Sequence, residues 1–367
     1  MISQIEKSVL FVLLIVLFNS SFAKAPFLTP EQVKTPLPKI IRTCCAFGAN
    51  IGVAGVPFYK KTDLAAISTM GAHGFLGGKE EKNGNIYTRR GGFIDLGHLR
   101  DCADWTAYLY NLIKASKANK DLIITKIGYE GGEKTLTLRV PENIDDDDAR
   151  ELAGKIAYDL SLWHEIATWF GASYVPLFPE RFSSFSPEDL YSNLLGVHLG
   201  MMAIKSDKEY NEAMTVLLAE MLYNLECMDT EEETLEAMIK VDNLWYNSQK
   251  RFPSRKLLMK RYLDPETALI PWLVPDETSI LPPFILKKPG VQLAGLYQLS
   301  IKLNYHFPVK DIFTDESDRI VTQNDFDTII NYIQNEINTL DDKEQSKNER
   351  SVKRKENRKR EEKSSAS

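Results

Sequence analysis

The sequence predicts an α+β protein dominated by helices. Segments of helical apolar period recur between residues 97 and 340. A single pair of alternating, β-branched segments flanks a glycine turn at about 122–140. No internal repeat runs through the 367 residues.

The chain opens with Lys7, an apolar run from Val9 to Phe18, and small residues at Ser21 and Ala23. This is the pattern of a secretory signal peptide cut after Ala23, residues 1–23. A run that short does not span a bilayer as a helix. Residues 24–40 are punctuated by proline and read as an extended arm. Next, IGVAGVPFY reads as a short strand and Lys61–Met70 as a helix. The glycine-rich connection at 71–78 lacks the GxxxxGK[ST] and GxGxxG spacings of phosphate loops, so it reads as a loop needing unusual backbone angles.

Gly97–Lys117 has helical period. At ~100° per residue, His98, Asp101, Cys102, Trp105, Leu109 and Leu112 share one stripe, polar in its first turn and apolar beyond. Glu130–Glu133 turns the hairpin, and Asp145–Asp148 suits a helix N-terminus. Ala149–Phe170 is apolar nearly all round, which buries Asp159, His164 and Glu165, and Gly171 stops it. Ser186, Pro187 and Asp189 read as the cap of the next helix. Two helices follow at about 208–228 and 231–250, the second capped by Thr230–Glu233. Residues 263–310 are irregular and rich in proline, and a last helix spans about 324–340. The expected organisation is one helix-rich domain at 24–340 with its core at 40–262, then a disordered charged tail at 341–367.

Charge and cysteine usage bound the function. From Lys343 to Ser367 ten Lys and Arg oppose five Glu, so the tail carries +5 of a net −6 and leaves −11 for the rest. An acidic body disfavours nucleic acid as the main ligand. The tail reads as a solvated mixed-charge segment, or as a weak peripheral contact with anionic lipid. Cys44, Cys45, Cys102 and Cys227 allow either a link from Cys44 or Cys45 to Cys102 or buried thiols. No CxxC occurs, which sets aside a zinc knuckle.

The chemistry concentrates in two polar clusters within apolar surroundings, at 91–109 and 160–171. Buried charge is expensive unless paired or bound to metal. His98, Asp101 and His164 form a candidate ligand set for zinc or another divalent metal, with Glu165 as the general base on bound water. Asp104, Asp159 and His73 are alternative ligands, or acceptors that orient the imidazoles. HEIAT begins like the HExxH zinc motif, but Thr168 stands where its second His is required. A shared mononuclear site requires the His98 and His164 side chains to lie within ~8 Å. No GxSxG elbow is present. Cys102 is one turn from His98, and reads either as a thiolate partner or as a small apolar thiol. Trp105, Trp163, Trp169, Tyr174, Phe178 and Phe182 suit a cleft or the core; His198 and His306 are isolated.

RTCCAFG at 42–48, YTRRGGFIDLGHLRD at 87–101, LWHEIATWFG at 162–171 and FSPEDLYSNLLG at 185–196 together resemble an uncharacterised bacterial family of exported proteins, a domain of unknown function. The resemblance covers most of 40–262 and implies the envelope of a Gram-negative bacterium, with no activity attached. Two expectations follow: a periplasmic metal-dependent hydrolase acting on an envelope component, or a non-enzymatic envelope binding or scaffold protein with a buried polar network.

Overall fold

The segments of strongest helical period form the centre of the fold in the computed structural model. The described residues are 42 and 47–340, without 53, 55–59, 62, 76, 79, 120–122, 172–180, 253, 264–267, 278, 306 and 314–318. The expected leader, arm and tail, and with them Cys44, Cys45, Tyr174, Phe178 and His306, lie outside the described residues.

Helices α1 (Leu96–Asn119), α2 (Asp146–Trp169) and α3 (Asp189–Lys205) pack on one another. Helix α2 starts at Asp145, whose side chain accepts from the Asp148 N–H (2.7 Å), and acidic residues fill its first turn. It ends where Gly171 takes φ +65°, a left-handed conformation that only glycine adopts without strain. Leu152, Ile156, Trp163 and Ile166 on α2 are buried, as expected for a helix apolar on most sides. Helices α4 (Tyr210–Asn224) and α5 (Glu231–Lys240) follow, the latter opened by a complete capping box between Thr230 and Glu233. Short α6 (Val309–Ile312) and terminal α7 (326–340) complete the helices.

The expected hairpin is present as β5 (Ile123–Tyr129) and β6 (Gly132–Leu138). It belongs to a four-stranded antiparallel sheet of order β10 (Ile320–Thr322), β9 (Tyr297–Leu303), β6, β5. Trp163 on α2 stacks on Phe307 at 5.4 Å and donates to the Glu130 carbonyl (2.7 Å), so the hairpin turn is pinned against the last third of α2. Hairpin β3 (Asn85–Thr88) and β4 (Gly92–Asp95) runs directly into α1. Two-residue strands β1 (Ile51–Gly52) with β2 (Lys60–Lys61), and β7 (Ala268–Leu269) with β8 (Leu286–Lys287), make two further pairs. A second apolar cluster around Phe47, Tyr87, Phe93, Trp245 and Tyr246 lies apart from the main core. No helix among the described residues is long and apolar enough to cross a membrane.

Four expectations are corrected. Lys61–Met70 is not helical: the Asp63 carbonyl and Ala65 N–H bond to Asn85, and Ala66–Met70 closes a turn in which Thr69 Oγ1 donates to the Ala66 carbonyl. The helix expected from Ser186 starts at Asp189, because Asp189 Oδ2 accepts from the Ser186 N–H and hydroxyl and closes a turn ahead of the helix. The helix at 231–250 ends at Lys240, since Trp245 and Tyr246 turn into the second apolar cluster. The region 263–310 holds strand β9, which pairs with β6 and buries alternate residues.

Candidate metal centre

The clustered side chains come from the ends of elements that approach closely. The β4 strand ends at Asp95, whose Oδ1 accepts from the N–H groups of Gly97 (2.7 Å) and His98 (3.1 Å), opening α1. His98 is thereby fixed on the first turn. On α3, a Cβ at Gly196 would meet the Leu99 carbonyl oxygen at 2.0 Å. The bare backbone at Gly196 and Gly200 therefore lets α3 lie against α1, and brings Asp189 to His98. The Asp95 N–H donates to Ser192 Oγ (2.9 Å), which ties the two helix starts together.

His98, His164 and Glu165 each offer a ligand atom within 4.8 Å of the others. The two imidazole centroids lie 5.9 Å apart, inside the ~8 Å that a common ion requires. A second group, Asp95, His98 and Asp189, meets the same proximity. His98 Nδ1 lies 3.0 Å from Asp189 Oδ1 and 3.3 Å from Asp95 Oδ2. His164 Nδ1 lies 2.5 Å from Glu130 Oε1, and Glu130 Oε2 accepts from Lys134 Nζ (2.8 Å). Burial works against the Glu130 charge, yet Lys134 and His164 outweigh it and hold the carboxyl well below its usual range. An ionised Glu130 makes His164 Nδ1 the donor and turns Nε2 into the ring's acceptor. His164 thus has Nδ1 bonded to a carboxylate, the arrangement that orients histidine metal ligands, and His98 Nδ1 faces the carboxylates of Asp189 and Asp95. The His164 side chain is 20 % exposed against 4 % for His98, so the cluster opens at His164.

Three carboxylates of this cluster are paired with no Lys or Arg among the described residues: Glu165, Glu188 and Asp189. Glu165 Oε2 accepts from the Phe185 N–H (2.6 Å), while Oε1 is buried without a hydrogen bond. Burial, then the nearby Asp189 charge, push Glu165 up to about 7. Glu188 is also raised, by burial and then by Asp189 and Asp95. Buried carboxyls without a countercharge either stay protonated or ionise on a cation, and a bound ion would favour the second state.

The other candidate residues belong elsewhere. Asp101 and Asp104 meet Arg42, at 3.0 and 2.7 Å from Nη1. Arg42 also forks onto Glu81, with 2.8 Å to each oxygen, and donates to the Gly74 carbonyl (2.9 Å). His73 Nε2 lies 3.0 Å from Asp104 Oδ1. Arg100 joins from the same side, donating to the Gly71 carbonyl. Here the anions are matched by guanidinia, and the glycine-rich loop supplies carbonyl acceptors rather than a phosphate cradle. Asp159 accepts from Lys155 Nζ (2.6 Å) and from the Tyr297 hydroxyl. Cys102 is a buried thiol donating to Asn193 Oδ1 (3.1 Å), and Cys227 is also a thiol. Trp105, Trp163 and Trp169 are core residues. His198 Nε2 lies 2.7 Å from the Lys287 carbonyl, a structural bond.

Sequence reasoning passed over Asp95, Glu130, Glu188, Asp189 and Arg42. Asp189 was legible only as a capping residue, and Asp95 as a strand end. Glu130 looked like a hairpin turn, and nothing local marks it as a partner of His164, 34 positions away.

A family model described as a protein of unknown function, DUF4056, matches residues 32–275. The chain therefore belongs to that family, a domain of unknown function as expected. No curated protein and no solved structure matches it.

Proposed function

We propose that the chain is an exported metal-dependent hydrolase in which His98, His164 and Glu165 hold a divalent ion, zinc foremost. The observation that carries this reading is the convergence of the two imidazoles and one carboxylate within 4.8 Å. Two His and one carboxylate, with a further position for water, is the ligand count of hydrolytic zinc sites. The sequence assigned the third ligand to Asp101 and the base to Glu165. With Asp101 against Arg42, Glu165 is the carboxylate that faces both rings, and its bare Oε1 is the donor.

An ion held there lowers the pKa of bound water toward neutrality and makes a hydroxide available for attack on an acyl or phosphoryl centre. Glu130 fixes the His164 ring, Lys134 keeps Glu130 ionised, and Asp189 lies beside His98 Nδ1. The substrate class that follows from export is an envelope component: peptide, peptidoglycan or lipid. Export itself is supported by the basic start, apolar run and small residues up to Ala23.

The test is elemental analysis of the mature protein together with hydrolysis of ester, phosphoester and peptide substrates. Stoichiometric zinc or manganese is expected, lost in both His98→Ala and His164→Ala while the circular dichroism is retained. Activity should vanish with chelator and return with the ion. A folded wild-type protein that takes up no metal would overturn the reading and leave the non-enzymatic alternative, a binding or scaffold protein. For the export step, mass spectrometry of the cell-derived protein should find its N-terminus at Lys24.

A further inference from the structure

The loop that meets Glu165 is held in a strained shape. Phe185 is fully buried, yet its φ is +54°, a left-handed conformation that a large side chain adopts only where its surroundings impose it. Hydrogen bonds on both sides of the residue impose it here. The Phe185 N–H donates to Glu165 Oε2 (2.6 Å), the Phe185 carbonyl accepts from the Tyr262 N–H (2.9 Å), and the Ser184 carbonyl accepts from Arg261 Nη1. The Ser184 hydroxyl adds a bond to the Glu165 carbonyl (2.8 Å).

The Ser184 carbonyl and the Phe185 N–H belong to the same planar amide, so the oxygen and the hydrogen point in opposite directions and turn together. Arg261 holds one end of that plate, and Glu165 takes the other. A guanidinium on the carbonyl also polarises the amide and strengthens its N–H as a donor. Arg261 thus reaches Glu165 through one peptide group without pairing with it. It is itself fixed: Nη2 donates to the Arg181 carbonyl (2.8 Å), and the guanidinium lies 5.2 Å from the centroid of the Trp169 ring. Trp169 follows Glu165 by one turn along the same face of α2, and its indole N–H is anchored on Glu336 (2.8 Å).

Which oxygen Glu165 offers to an ion depends on this plate. With Oε2 committed to the Phe185 N–H, Oε1 is the oxygen left without a hydrogen bond. We propose that Arg261 is a positioning residue of the centre: by holding the Ser184–Phe185 peptide it keeps Oε2 occupied and makes Glu165 a one-oxygen ligand, so that a position stays open for water. The inference rests on the metal-site reading. Arg261 touches neither ion nor substrate and works entirely through the loop. Released from the Phe185 N–H, the carboxylate can turn both oxygens to the ion and close that position.

The experiment loads the mature protein with cobalt(II) alone, a stand-in for zinc whose visible absorption is strong in four-coordinate sites and weak at higher coordination. The wild type should give the strong spectrum. Arg261→Met has no donor for the Ser184 carbonyl, and Arg261→Gln is too short to hold it. Each should bind cobalt about tenfold more weakly and give the weak spectrum. A strong spectrum in either folded variant overturns the proposal whatever its melting temperature, because a residue that only supports the fold lowers stability without altering coordination. A weak spectrum in the wild type also overturns it and leaves the ion site standing. Wild-type protein that takes up no cobalt removes the metal reading itself. Should one variant fail to fold, the other decides.

Discussion

Arg42 and Lys134 perform for two groups of carboxylates what no lysine or arginine among the described residues does for Glu165, Glu188 and Asp189. The Arg42 side chain is 1 % exposed and contacts three acids, so removing it strands charges that water cannot reach. Arg42→Met should cost about 3–5 kcal/mol, the range for breaking a buried pair from one side. Urea unfolding at pH 7 measures it, and a loss below 1 kcal/mol would mean the network carries no net stability. Its pH dependence follows from Glu81. Burial opposes the Glu81 charge, but Arg42 and then Arg100 outweigh it and hold the carboxyl at about 2, against 4.5 unperturbed. A folded-state value below the unfolded one stabilises the protein above pH 4.5, and that contribution is lost as pH falls toward 2. The shift corresponds to ~3 kcal/mol, and Glu81→Gln should flatten the slope of unfolding free energy between pH 5 and 2.5. An unchanged slope would assign acid sensitivity to other groups. At this scale the sequence was legible for residue type and burial but not for partner. His98 and Asp101 share a helical stripe, yet the ~60° between them sends one to α3 and the other to Arg42.

The close approach of α1 and α3 depends on glycine, and elements of this kind were half legible. Gly196→Ala places a methyl carbon against the Leu99 carbonyl, a backbone atom that cannot rotate aside. The helices must separate, which should destabilise the fold by about 1–3 kcal/mol or more and move Asp189 away from His98. Thermal unfolding and metal stoichiometry read the two effects separately. A Gly196→Ala protein as stable as wild type would mean that the helices shift without cost. The long helices α1 and α2 were readable because period, cap and stop agree along each of them, at Asp145 and Gly171 for α2. Strand β9 was not, because QLSIKL follows a proline-rich stretch and its alternation gains meaning only beside β6. The false helix at 61–70 has the converse cause: its apolar spacing is adequate, but Asn85 captures its backbone groups. Long-range pairing overrode local period in both places.

For the molecule as a whole, a cation would act as a fastener across otherwise separate parts of the chain. The donors come from the first turn of α1 and the last third of α2, and the carboxylates behind the two rings come from the β5–β6 turn and the start of α3. They assemble only in the folded state, so an ion that binds them favours folding by mass action. At a free ion concentration of 100 times Kd the gain is about 2.7 kcal/mol. For a chain of this size each kcal/mol raises the midpoint by roughly 2 °C, so stripped protein reloaded with zinc should melt about 5 °C higher. The rise should be halved by a tenfold lower ion concentration and absent in His98→Ala and His164→Ala. Arg42→Met tests the division between the clusters: it should lower the melting temperature with and without zinc by the same amount, leaving the zinc-dependent difference intact. If that difference disappears in Arg42→Met, the two clusters are one cooperative unit and Asp101 regains its place as a ligand. Calorimetry of the four proteins with and without zinc distinguishes these outcomes. A midpoint that does not move with zinc in the wild type would show that the imidazoles and Glu165 converge for packing alone.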